Sequence, residues 1–280
     1  MEDADRPARG PLPRQLAPSY AFILPLAVRS YEVASTGHVS AATIFRYLEH
    51  VATLASADRG FDSRWYVDHG AAWVVRDMRV RFGRLPGIGD ELRLATWVSE
   101  FRRVQAQREY AVWLAGSGRL VARASARWAY VDRERGLPLR IPPEILGSIS
   151  VLGHAMPASS LPQSSGAAPT EQATLSLTAR GYESDTQQHI NNCVYVDWLD
   201  EALRRSYVRS QAHDGEQLAP RLLRIEYARP VRAGDRVEIA TAWTPLGARG
   251  LRATQEIRHG ETGAVAGRAT SRYLATRATS

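Results

Sequence analysis

The feature that most limits what this chain can fold into is an internal repeat. Tyr31-Glu32 with His38-Val39 returns as Tyr182-Glu183 with His189-Ile190, 151 residues later. Gly89-Asp90 and Ala95-Thr96 return as Gly234-Asp235 and Ala240-Thr241, and Arg123-Ala-Ser-Ala-Arg-Trp128 as Arg268-Ala-Thr-Ser-Arg-Tyr273, both 145 residues later. The hydropathy pattern repeats in the same order. A strand over 20–32 and a polar turn at 34–38 lead into a helix from Ser40 to near Gly60, with Ile44, Tyr47, Leu48, Val51, Leu54 and Ala55 at helical spacing. Stretches at 73–82, 91–101, 106–115 and 119–132 then alternate apolar and polar residues as half-buried antiparallel strands do. In the second copy a strand carries Leu175, Leu177 and Ala179, a helix follows Asn191, and strands are expected at 222–228, 237–244, 251–258 and 264–275. One helix covers one face of a wide sheet and leaves the sheet edges open, so a single copy is unsatisfactory alone and two sheets paired edge to edge are not. The expected architecture is α+β: a helix wrapped by a curved antiparallel sheet, made twice and joined as an internal pseudo-dimer.

Composition marks the boundaries. Residues 1–19, rich in Pro and Arg, read as a disordered extension, 20–136 as the first domain and 173–280 as the second. Between them 137–172 shifts to Pro, Ser, Ala and Gly and reads as a linker crossing the outside of the pair. No apolar run approaches the roughly 18 to 20 residues that span a bilayer, and residues 1–18 lack the apolar centre of a signal peptide. A cytoplasmic protein without membrane contact is the expectation, as a monomer or as a homodimer of pseudo-dimers. The net charge of +7 rests on 36 arginines and no lysine, which excludes a Schiff-base or phosphate-loop lysine and favours an acidic partner. Those arginines are scattered through the strands, and no zinc-finger spacing, RNA-binding signature or basic helix points to nucleic acid. The single cysteine, Cys193, rules out an internal disulfide and a multi-cysteine zinc site.

Chemistry concentrates in residues 181–201. Asp185, Gln187 and His189 alternate, so an extended loop would project all three to one side. Asn191 and Asn192 supply an N-cap, and Tyr195, Trp198, Leu199, Ala202 and Leu203 form the apolar face of the helix that follows. A carboxylate, an amide and an imidazole therefore converge where a helix presents unpaired N–H groups, which suits chemistry at a polarised carbonyl.

The same stretch, Asp185-Thr-Gln-Gln-His-Ile-Asn-Asn followed by Tyr195, Trp198 and Glu201, resembles the motif of the acyl-acyl-carrier-protein (acyl-ACP) thioesterases of plants and bacteria. Arg29-Ser-Tyr-Glu-Val33, Tyr47-Leu-Glu-His50 and Thr96-Trp97 after Gly89-Asp90 extend the likeness to the first copy, so that it covers about 20–275. The resemblance implies two hotdog folds in one chain and hydrolysis of the thioester between a fatty acyl group and the phosphopantetheine arm of an acidic carrier protein, with no cofactor and no metal. The family's asparagine is here Gln187. Where the family has a carboxylate four residues after a Glu-Tyr pair, and plant members a cysteine next to it, this chain has Pro230 and Val231 after Glu226-Tyr227.

On this resemblance Asp185 is the candidate base or nucleophile, His189 and Gln187 its partners, and the backbone around Asn191, Asn192 and Cys193 the donor set for the oxyanion. Glu201 and Glu226 are candidates for the missing carboxylate, and Ile44, Tyr47, Leu48, Trp65, Trp73 and Met78 for the wall of an acyl tunnel. Each has a plainer alternative. Asp185 could be a turn residue bonding its own backbone, His189 a packed histidine like His38, Cys193 a buried thiol, Glu201 an arginine's partner, and the tunnel residues core. Aligning the copies sets Ala34 opposite Asp185 and Thr36 opposite Gln187, so one site per chain is expected, with the first copy housing the acyl group. A hydratase or dehydratase acting on acyl thioesters and a non-catalytic module binding acyl or polyketide carriers are the rival functions.

Overall fold

The computed structural model describes residues 21–151, 171–210 and 216–277. The expected extension at 1–19 and the Pro/Ser-rich middle of the expected linker lie outside the described residues.

Both copies build the same unit. The first runs β1 (Phe22–Ala27), a 3-10 turn (Ser30–Glu32), α1 (Ala41–Ala57), α2 (Ser63–Asp68), β2 (Ala71–Phe82), β3 (Glu91–Arg102), β4 (Gln105–Leu114) and β5 (Leu120–Asp132). After α3 (Pro143–Ser148) the second runs β6 (Glu171–Thr178), a 3-10 turn (Gly181–Glu183), α4 (Asn192–Arg209), β7 (Glu216–Tyr227), β8 (Arg236–Leu246), β9 (Gly250–His259) and β10 (Val265–Arg277). The ten strands make one sheet in the order β1-β3-β4-β5-β2-β7-β10-β9-β8-β6. That order is palindromic under the repeat, and the seam is β2 against β7, antiparallel from Asp77 opposite Glu226 to Arg81 opposite Leu222. Pairing there removes one open edge from each half.

Local chemistry starts both helices. Ser40 Oγ accepts the Thr43 N–H at 3.0 Å and Asn191 Oδ1 the Cys193 N–H at 2.8 Å. The helices then pack against each other inside the sheet, and Ile44, Leu48 and Val51 of α1 join Tyr195, Val196 and Leu199 of α4 in one buried cluster. The Tyr-Glu pairs that revealed the repeat also act alike. Glu32 and Glu183 accept the backbone N–H of Arg29 and Arg180 at 2.8 and 2.7 Å, and the equivalent Tyr47 hydroxyl and Trp198 Nε1 reach down to them at 2.7 and 3.4 Å.

The structure departs from expectation at several points: the strand expected over 20–32 ends at Ala27, before the 3-10 turn, and the one expected from 222 begins at Glu216. α2 occupies what reads as a loop, started by Asp62, whose Oδ1 accepts the Trp65 N–H at 2.8 Å. The first part of the expected linker is packed structure: Ile141 and Ile145 are buried with Phe61, Ala71 and Tyr130, and Ile149 packs against them. Ile145 on α3 and the flanking Ile141 and Ile149 all pack on that cluster, and the burial outweighs the local Pro and Gly content. Among the described residues no helix is long and apolar enough to cross a membrane.

Candidate active site

A cavity of about 510 Å³ lies inside the first half, between the C-terminal part of α1, α2 and the inner faces of β2 to β5. That volume falls within the roughly 300–1,000 Å³ usual for small-molecule sites. The second half contributes only Asp185, Thr186 and Gln187 to its lining, and Thr186 is exposed, so the cavity meets solvent beside Asp185.

The loop that brings Asp185 there is a tight turn, not the extended segment its alternating residues suggest. Asp185 N–H donates to the His189 carbonyl at 2.8 Å and Gln188 N–H to the Asp185 carbonyl at 3.0 Å. Gln188 sits at φ 60°, a left-handed conformation that turns the chain back. Asp185 and Gln187 consequently line the cavity, whereas His189 does not, and among the described residues its ring makes no hydrogen bond to Asp185. Asp185 Oδ1 accepts the Gln187 N–H at 2.8 Å and, at 3.5 Å, the His189 N–H. These are the turn bonds of the plainer alternative. The first copy shows that the turn does not require them. Ala34 N–H donates to the His38 carbonyl at 2.9 Å and Gly37 N–H to the Ala34 carbonyl at 3.0 Å, which is the same turn without a carboxylate. Asp185 Oδ2 has no hydrogen-bond partner among the described residues, so half of the carboxylate remains available.

The donors expected at the start of α4 are largely engaged: Cys193 N–H by the Asn191 side chain, and Val194 N–H by the Asn191 carbonyl at 2.9 Å. Among the described residues Asn192 N–H has no protein acceptor. Cys193 is buried, and burial together with Glu49 pushes its thiol well above the ordinary value, overriding the helix terminus that would lower it.

Sequence reasoning missed Glu49. From α1 it lines the cavity and crosses to α4, accepting the Asn191 Nδ2 at 3.1 Å on each carboxylate oxygen and the Cys193 Sγ–H at 3.1 Å. It stands within Tyr47-Leu-Glu-His50, but its partners lie 142 and 144 residues away in sequence, beyond the reach of any local pattern. The carboxylates named instead are elsewhere. Glu201 pairs with Arg205 at 2.5 Å beside a separate cleft, and Glu226 pairs with Arg224 at 2.7 Å on the outer face of the sheet. Pro230 is exposed, and Val231 is bonded through its backbone to Tyr195 and Ile190. Of the expected tunnel wall, Trp73 lines the cavity. Ile44, Tyr47 and Leu48 are core, because the face of α1 they share turns toward the sheet and the other helix, and Met78 of β2 is buried in the same cluster. Trp65 packs edge-on against Phe61 and Tyr66 and stacks on His69.

A helix wrapped by an antiparallel sheet, doubled in one chain with an acidic turn over an internal cavity, defines the double hotdog class. The 12:0-ACP thioesterase from Umbellularia californica shares this fold, with a TM-score of 0.72 at 20% identity over 92% of this chain and 95% of that one. The family models for the acyl-ACP thioesterase N-terminal and C-terminal domains match residues 21–149 and 166–274. The chain belongs to the acyl-ACP thioesterase family. It is 26% identical to a chloroplastic acyl-[acyl-carrier-protein] hydrolase of Cuphea viscosissima over 80% of this chain, and 21% identical to a chloroplastic oleoyl-acyl carrier protein thioesterase of Arabidopsis thaliana over 83%. It spans 55% and 66% of the length of those two curated relatives.

Proposed function

We propose that the chain hydrolyses the thioester between an acyl group and the phosphopantetheine arm of an acyl carrier protein, at one site per chain. The observation that carries this reading is Asp185: one oxygen is pinned by backbone N–H groups, the other is unpartnered, and the side chain meets a cavity that the other half of the molecule lines. The acyl group enters the cavity of the first half, and the thioester carbonyl rests beside Asp185 and Gln187. Asp185 takes a proton from water as that water adds to the carbonyl carbon, the C–S bond breaks, and the departing sulfur takes the proton. Asp185 acting directly as the nucleophile is the variant of the same chemistry, and oxygen-18 water in a single turnover separates the two by whether label enters the protein. The Asn192 N–H and the Gln187 side-chain amide are the donors for the developing oxyanion. Glu49 stands in for the carboxylate that Pro230 and Val231 do not supply, anchoring Asn191 at the head of α4.

The exposed Arg64 and the half-buried Arg133, both on the cavity lining, place positive charge where the arm and its acidic carrier would approach. A cytoplasmic setting, and the single chain as working unit, belong to the same proposal. Incubation with acyl-ACP tests it. Release of free acid in proportion to enzyme supports hydrolysis, a change at the acyl β-carbon points to hydration chemistry, and tight binding without turnover to a carrier-binding module.

A further inference from the structure

Arg108 does not belong in a cavity built only for an alkyl chain. It lies on the inner face of β4, in line with the buried Tyr110 and Val112, and lines the cavity together with Phe101, Trp128 and Val98. Its polar protein contact is a 3.3 Å bond from Nη1 to the Thr96 hydroxyl, itself occupied in donating to the Glu109 carbonyl at 3.0 Å. No carboxylate oxygen lies within 4 Å of it among the described residues. Two arginines on the helices are treated differently: the exposed Arg46 is held by Asp197 at 2.5 Å and the half-buried Arg204 by Asp200 at 2.7 Å. Both of those guanidinium groups are raised above the ordinary value despite partial desolvation, whereas burial pulls Arg108 below it. Taking a guanidinium out of water without an anion is costly, and the planar N–H donors of an arginine that lines a cavity match a carboxylate in shape as well as charge.

We propose that the acyl group of this enzyme's substrate carries a carboxylate remote from the thioester, and that this carboxylate is seated on Arg108. The proposal rests on the cavity being the acyl site, and it narrows the substrate class to dicarboxylic half-thioesters. The aromatic wall suits the intervening carbons, and the ion pair forms only when the chain is long enough to reach β4.

Three carrier thioesters of equal chain length, ending in methyl, hydroxyl or carboxylate, are given to the wild-type protein and to Arg108→Met. The expected result is at least a tenfold preference of the wild type, in kcat/KM, for the carboxylate end, and loss of that preference in Arg108→Met. Equal use of all three ends by the wild type, or an equal loss on all three in the variant, overturns the proposal. Calorimetric binding of the free diacid and the matching monoacid runs in parallel and does not depend on turnover. Diacid binding at least tenfold tighter and dependent on Arg108, with no thioester hydrolysed, sustains this inference and sinks the hydrolase. Hydrolysis with no diacid preference does the reverse. Should Arg108→Met not fold, the wild-type comparisons alone decide.

Discussion

Arg46 on α1 and Asp197 on α4 occupy the same position in the two copies, 151 residues apart, and they bond to each other, Nη1 to Oδ1 at 3.3 Å and Nη2 to Oδ2 at 2.5 Å. A residue meets its own repeat mate only beside the axis relating the two halves, so this pair marks that axis. Two identical copies would bring like charges together here, and the duplicated chain has opposite ones. With side chains 47% and 40% exposed, the pair is worth about 1 kcal/mol or less. Asp197→Arg should destabilise more than Asp197→Ala, and Arg46→Asp combined with Asp197→Arg should recover most of the loss. Urea titration of the wild type, Arg46→Asp, Asp197→Arg and the double variant measures the coupling, and simple additivity would show that the pair contributes nothing.

Asp185→Asn should abolish release of free acid while the melting temperature changes little. The Ala34 turn forms the same backbone bonds without a carboxylate, so the loss would be chemical and not structural. Wild-type turnover in this variant would remove Asp185 from the mechanism. Ala34→Asp should create no second site, because Thr36 stands where Gln187 would be needed.

Glu49→Gln keeps the size of the side chain and exchanges a charged acceptor for an amide. If Glu49 anchors the head of α4 beside the reacting carbonyl, kcat should fall roughly 10²-fold, the scale of displacing a group at the reacting centre by about 1 Å, while KM for acyl-ACP stays near the wild-type value. Unchanged kcat would restrict Glu49 to structure.

Gln188 holds the left-handed position that Gly37 fills in the first copy, at φ 60° against 76°. A left-handed conformation costs a side-chain-bearing residue roughly 1–2 kcal/mol, partly offset on substitution by the greater freedom glycine has when unfolded. Gln188→Gly should therefore be neutral or stabilising by up to about 1 kcal/mol, read from denaturant midpoints. A clear loss would mean that the Gln188 side chain makes a contribution of its own.

Glu32 titrates below the ordinary carboxylate value: burial pushes it up, but the Arg29 N–H, the Tyr47 hydroxyl and the Arg29 guanidinium together pull it further down. A carboxylate depressed in the folded state stabilises the fold above its unfolded pKa, and that contribution disappears as pH falls through the folded one. At pH 7 Glu32→Gln should cost about 2 kcal/mol, the scale of hydrogen bonds to a charged group. The gap between variant and wild type should narrow on acidification below the unfolded value near 4.5. A gap independent of pH from 7 to 3 would rule out the ionised form as the source.

Much of the fold was legible because it is written in short-range periodicity and written twice. Ser40 and Asn191 announce their helices, alternation marks the strands, and the paired Tyr-Glu dipeptides sit on equivalent 3-10 turns. The site was legible only in part. Asp185 and Gln187 could be picked out by residue type and spacing, but side-chain direction there depends on a turn whose left-handed residue is not a glycine, and His189 turned away as a result. Ile44, Leu48 and Met78 look the same in sequence whether they face a cavity or a core.

By itself the sequence determined that there are two like units, that each is a helix with an antiparallel sheet, and that a carboxylate survives in only one of their equivalent turns. Those properties depend on neighbours a few residues away or on comparison of the chain with itself. The tertiary structure alone decided which carboxylate joins Asp185 at the cavity and that Arg108 lines it without a carboxylate partner among the described residues. Glu49 meets Asn191 and Cys193 across more than 140 residues, and Arg108 is enclosed by strands and helices from the whole first half. The energies of such buried charges depend on what surrounds them in space, which local sequence does not encode.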